Sequence, residues 1–238
     1  MMAIIILVLV VAALFLLIII QVNQSIVKSI SKMAKAKELI EVQWTIANKR
    51  ANFYELLSKY ENDAKFNNVL AASLNWLQGN NFEANLIFNF HSIENSSPLE
   101  TIVWKSNNFP ELFILYYHAA TKSISYEFYT VLADEKGLST SSNRDSLSLP
   151  RAKGSYGQAF DNLGIDELYA KHQEALTRLE QNQLMNPQIE LAPNTLELFI
   201  SATIKHQEFI KSIPFWQYKG AYWYFVRRNA LANKAISI

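Results

Sequence analysis

AIIILVLVVAALFLLIII, residues Ala3 to Ile20, is an unbroken apolar run without charge, glycine, proline or polar side chain. At about 1.5 Å of rise per residue such a run makes a helix of roughly 27 Å, close to the hydrocarbon thickness of a bilayer. The expectation is a single membrane-spanning anchor over residues 1–22, with everything after it hung from the membrane. A cleaved leader is disfavoured: Met1 and Met2 carry no basic group, and Ile18-Ile19-Ile20 running into Gln21-Val22-Asn23 has no small-x-small site. No Lys or Arg precedes the run, whereas Lys28, Lys32, Lys35 and Lys37 come after it. Positive flanks stay inside, so the sequence favours a short outside N-terminus at an inner (plasma) membrane of bacterial type, with the domain cytoplasmic and a periplasmic domain as the alternative. The same four lysines are the candidate membrane-surface residues, placed among anionic headgroups.

Beyond the run, apolar side chains recur at Ile26, Ile30, Met33, Ile40, Trp44, Ala47, Ala51, Tyr54 and Leu57. Steps of three, four and seven trace one helical stripe, so a long amphipathic helix is expected to continue out of the membrane. That stripe either packs on the remaining domain or joins two copies as a homodimer through Ile26 to Leu57. Within it, Ile40-Glu41-Val42-Gln43 and Lys49-Arg50-Ala51-Asn52-Phe53 resemble the helix after the anchor in LemA-type membrane proteins. The likeness is confined to that helix, lacks the family's Pro-Asn-Leu turn and implies no site. A second helix is expected over Phe66, Val69, Leu70, Ser73, Leu74 and Leu77, capped by Asn62 or Asp63 and stopped by Gly79-Asn80-Asn81. Residues 23–79 therefore read as a helical stalk or hairpin, able to pack with residues 80–238 as one domain.

After Gly79 the period changes. Leu86, Phe88 and Phe90 alternate with Ile87, Asn89 and His91; Ile102-Val103-Trp104 and Leu112 to His118 are apolar runs; Ile124, Tyr126, Phe128, Thr130 and Leu132 alternate with polar neighbours. This spacing predicts an antiparallel meander of four or five strands. Ser139 to Asp145 reads as a polar loop. Two later helices are expected to cover one face of the sheet. The first is capped by Asp166 and carries Leu168, Tyr169, His172, Leu176 and Leu179; the second runs from Asn194 to Pro214. The expected fold class is thus α+β, with residues 80–238 as its main domain.

Composition narrows function mainly by exclusion. A net charge of +1 gives no field for nucleic acid, and with no cysteine there is no thiol chemistry. His91, His118, His172 and His206 are scattered, so no metal or cofactor is expected, and no nucleophile elbow, phosphate loop or dinucleotide fingerprint occurs. Paired acids such as Glu94 with Glu100 read as solvated turn residues, and no catalytic residue is nominated. Arg144, Arg151 and Lys153, beside Gly154 and Gly157, are the candidate anion or ligand-binding groups. The aromatic segment from Phe215 to Arg228 reads as core, with a membrane-interface contact as the alternative. The favoured function is protein or membrane-surface interaction by an anchored domain. A small-ligand site or enzyme pocket between sheet and helices, and a subunit of an envelope assembly or secretion complex, are the alternatives.

Overall fold

The computed structural model describes residues 6, 9–25, 58–90, 99–118, 121–132, 137–182, 184, 195–215, 219 and 222–236. A helix, α1, occupies residues 9–25. The stripe from Ile26 to Leu57, the four lysines within it and the residues of its LemA-like segment lie outside the described residues. Among the described residues no helix is long and apolar enough to cross a membrane. The described part of the apolar run nevertheless leaves Leu9, Val10, Val11, Leu14, Phe15, Leu16, Leu17, Ile18 and Ile20 exposed. Only toward its C-terminal end do Ile19, Val22 and Asn23, one helical stripe, turn inward.

Helix α2, Ala64–Gly79, forms where the apolar steps place it. The Asp63 carboxylate accepts the Phe66 N–H, and Asn80 closes the other end with its N–H on the carbonyls of Leu77 and Trp76. Asn81 comes next at φ 61°, the left-handed position that a helix stop favours. Its buried stripe is Phe66, Leu70, Ser73 and Leu77.

Six strands succeed it in the order of the chain: β1 (Phe82–Phe90), β2 (Leu99–Ser106), β3 (Glu111–His118), β4 (Ser123–Val131), β5 (Gly137–Ser141) and β6 (Tyr156–Ala159). The first five form an antiparallel meander; β6 adds in parallel beside β5. Two expectations are corrected here. Ser139 to Ser141, which read as loop, are the middle and end of β5, a strand buried along its whole length. The sixth strand exceeds the four or five expected, because Tyr156-Gly157-Gln158-Ala159 is too short to show alternation.

Helices α3 (Ile165–Gln181) and α4 (Thr195–Ser212) complete the main layers. Gly164, not Asp166, is the N-cap of α3: the Glu167 side chain accepts the Gly164 N–H at 3.1 Å, while Asp166 accepts from the Trp76 indole at 2.5 Å. The two helices do not share a face of the sheet. Phe113, Leu115 and Tyr117 point toward α2 and α3, in one core with Phe66, Leu70, Leu77, Trp104, Phe128 and Leu168. Leu112 and Ile114 point the other way, into a second core with Val103, Tyr129, Val131 and Phe199 of α4. A central strand covered on both sides must be apolar on both sides, as Leu112-Phe113-Ile114-Leu115 is. The chain ends in a π-helical turn, Trp223–Arg227, and a short helix, α5 (Arg228–Leu231). Its tail then lies along β6, with Asn233 N–H on the Ala159 carbonyl at 2.8 Å.

Gly137 opens β5 opposite Val131, where a Cβ would overlap the Tyr129 phenol. That ring is buried and meets Phe199 edge-on, with centroids 4.9 Å apart, so it has no room to withdraw. Gly137→Ala is therefore expected to cost about 1–3 kcal/mol by overpacking, read as a lower urea midpoint at unchanged slope.

Candidate functional site

A buried polar constellation lies between the sheet and α3. Glu111 at the start of β3, Thr130 on β4, Thr140 on β5 and Gln158 on β6 form a row across the sheet, and His172 of α3 is set down on it. His172 Nε2 is 2.7 Å from Thr130 Oγ1 and 3.2 Å from Glu111 Oε1; Nδ1 is 2.8 Å from Thr140 Oγ1. Gln158 Nε2 donates to Thr140 Oγ1 at 3.1 Å and to the Lys171 carbonyl at 2.8 Å, and its Oε1 accepts the Ile236 N–H at 3.2 Å. Gln158 donates into the row through Thr140, and both imidazole nitrogens of His172 face oxygen partners, Thr140 at Nδ1 and Thr130 with Glu111 at Nε2.

An acid, an imidazole and two hydroxyls are the ingredients of acid–base or nucleophilic chemistry. Here they are closed off. His172 has no solvent exposure, and Glu111, Thr130, Thr140 and Gln158 are buried with it under Phe128 and Tyr169. The hydrogen-bonding capacity that chemistry would direct at a substrate is spent within the row, which makes it a fastening between α3 and four strands. Sequence reading places His172 on an apolar helix face as a hydrogen-bonded core histidine, but it offers no sign that Glu111, 61 positions earlier, is its partner.

The nominated basic groups do not converge. Arg144 Nη2 holds Asp161 Oδ2 at 2.6 Å and its Nη1 donates to Asn229 Oδ1 at 3.2 Å, so it clamps the C-terminal segment to the body. Arg228 makes a parallel pair with Asp145. Arg151 instead lies across β6, on the α-carbon of Gly157, where a Cβ would overlap its guanidinium. Burial lowers its basicity, against the opposing, raising effect of the neighbouring Glu127 and Tyr129. Lys153, two residues further on, is exposed. Glu127 also takes hydroxyl bonds from Tyr116, at 3.1 Å, and from Ser139. An anion meeting Arg151 would meet this carboxylate as well.

Glu100 is not the solvated turn residue that its sequence context suggests. It is buried in β2, with Oε1 accepting from Lys59 Nζ at 2.6 Å and the Tyr60 hydroxyl at 2.8 Å. Glu94 lies outside the described residues, as do His91 and the side chain of His118. His206 is partly buried against the Pro150 carbonyl, 2.8 Å from its Nε2. Among the described residues, no three His, Asp or Glu side chains are grouped to hold a metal ion.

Acids beside phenols recur: Tyr60 with Glu100, Tyr116 with Glu127, Tyr117 with Asp63 at 2.5 Å, and Tyr169 with Glu111 at 3.5 Å. Burial first, and these carboxylates second, raise all four phenols. Tyr117, Tyr129 and Tyr169 reach about 12. A phenol raised above its unfolded value near 10 stabilises the fold fully below pH 10 and loses that contribution as pH rises through its folded value. Stability is therefore expected to fall steeply between pH 10 and 12, exposed phenols such as Tyr222 ionising first and the rest of the phenolate absorbance appearing together with loss of near-ultraviolet dichroism. Complete phenolate absorbance with the dichroism retained would contradict the arrangement.

The remaining feature is the exposed surface of α1, apolar around most of its circumference over residues 9–18. Contiguous apolar surface of that kind is rare on a water-facing helix and marks a surface made to be covered. Comparison with protein-family models, with curated proteins and with solved structures finds no match for the chain.

Proposed function

We propose that the chain is a single-pass membrane protein whose α+β domain is held at an inner (plasma) membrane by the N-terminal helix and acts through binding rather than catalysis. The observation that carries this is α1: nine large aliphatic and aromatic side chains exposed from Leu9 to Ile20, continuous in sequence with the apolar run from Ala3. In hydrocarbon such side chains are matched to their surroundings, and a helix satisfies its own backbone there. The binding role is supported by the closed state of the polar interior, where the one acid–histidine constellation among the described residues is fully bonded within the protein. The lysines after the helix favour a cytoplasmic domain.

Extraction tests the anchor. In membranes carrying the full chain, alkaline carbonate is expected to leave it in the pellet and detergent to release it; release by carbonate alone overturns the proposal. Protease added to intact spheroplasts is expected to spare the domain, and digestion there would reverse the orientation. Crosslinking in the same membranes, read by mass spectrometry, identifies the protein partner.

A further inference from the structure

The aromatic segment near the C-terminus divides in two. Trp223 turns inward onto Ile210 of α4, beside Leu149 and Ile213, as core packing requires. Phe215, Tyr222 and Val226 do not: they are 74%, 60% and 50% exposed, and Lys219 between them is exposed too. Positions 215, 219, 222 and 226 follow one another at intervals of four, three and four residues, Lys219 and Tyr222 being helical and Val226 lying in the π-helical turn. The Lys219 N–H bonds the Phe215 carbonyl at 3.2 Å, and Tyr222 leads directly into the π-helical turn. Phe215 also holds φ at 58°, a conformation a bulky side chain rarely adopts, with its ring turned out to solvent.

Charge says what would cover this stripe. Residues 214–236 contain Lys219, Arg227, Arg228 and Lys234 and no Asp or Glu. Arg227 donates to the carbonyls of Leu147 and Leu149, and Arg228 is paired with Asp145, so Lys219 is the cation set among the exposed rings. An aromatic and aliphatic stripe bearing a cation and flanked by basic residues suits the boundary between headgroups and acyl chains.

We propose that Phe215, Lys219, Tyr222 and Val226 form an interfacial contact with an anionic bilayer surface, seating the domain on the membrane to which α1 tethers it. The proposal deepens the anchored reading and depends on it for the membrane.

The absence of cysteine makes the test direct. Full-length chains with a single cysteine at one of Phe215→Cys, Tyr222→Cys, Val226→Cys, or Thr177→Cys on the exposed side of α3 are labelled with the fluorophore NBD. Each is reconstituted into phosphatidylcholine vesicles with or without phosphatidylglycerol. With phosphatidylglycerol present, a blue shift and quenching by doxyl-labelled lipid are expected at 215, 222 and 226 but not at 177. Lys219→Ala is expected to lower the seated-to-free ratio roughly fivefold. Emission at the three sites matching that at 177 overturns the proposal. So does a shift that tracks protein concentration rather than lipid composition, since the stripe would then meet a second copy. Carbonate treatment of the same vesicles reads the tether separately: release of the chain overturns the anchor, while the probe signal recorded beforehand decides the interfacial contact either way.

Discussion

Phe128→Ala is expected to destabilise the domain by about 3–5 kcal/mol, a large part of the roughly 5–15 kcal/mol that typically holds a domain together. The side chain is completely buried on β4. Around it stand Trp76 of α2 at 5.5 Å between ring centroids, Phe113 of β3 at 5.1 Å, and Tyr169 and His172 of α3 at 5.0 and 5.8 Å. Two helices and the sheet thus meet on one ring. Its neighbours are fixed by their own hydrogen bonds, Trp76 to Asp166 and His172 to both threonines, so they cannot close over the space. The cavity cost adds to the lost transfer energy. Urea unfolding gives the number, and Phe109→Ala, at an exposed turn residue, is expected to change stability by no more than about 0.5 kcal/mol. Equal midpoints for the two variants would refute this packing of α2 and α3 on the sheet.

The same ring shows what the sequence makes legible. Phe128 belongs to the clearest alternation in the chain, and α2 has both its apolar period and its caps written locally. Such signals depend on neighbours a few residues away. β5 has no such signal. Gly137-Leu138-Ser139-Thr140-Ser141 is polar in composition yet wholly buried, because its hydroxyls find partners on other elements: Ser139 on Glu127, Thr140 on His172 and Gln158. Those partners are 12 to 32 positions away, beyond the reach of any periodicity. The two-sided covering of the sheet is written in Leu112 to Leu115, where both alternating sets are apolar, but not which helix takes which side. The candidate basic groups illustrate the same limit. Arg151 and Lys153 are close neighbours in the loop, and only the fold lays one across Gly157, in the field of Glu127, and turns the other to water.

Glu111→Ala is expected to cost about 1–3 kcal/mol, and the way that cost disappears is more informative than its size. The substitution takes from His172 Nε2 the carboxylate at 3.2 Å, and from Gln173 Nε2 and the Tyr169 hydroxyl their acceptors at 3.4 and 3.5 Å. His172, fully buried, then carries the desolvation penalty of a donor left unmade, whereas Gln173 and Tyr169 are only partly buried. Replacing both ends by apolar side chains, Glu111→Leu with His172→Leu, removes the carboxylate and the imidazole together. Replacing both partners of a buried hydrogen bond by apolar groups of similar shape can be nearly neutral, so the double variant is expected to be more stable than either single variant. Thr130 and Thr140 each lose one partner, and Thr140 keeps the bond from Gln158, which limits the residual penalty. A double-mutant cycle from urea midpoints gives the coupling, expected in the range of about 1–3 kcal/mol for residues in direct contact. Additive single costs would show that the two side chains act independently, and the row would then not be the fastening its distances describe. Strong coupling with an intact fold would show that the carboxylate and the imidazole act as one unit in holding α3 to the sheet.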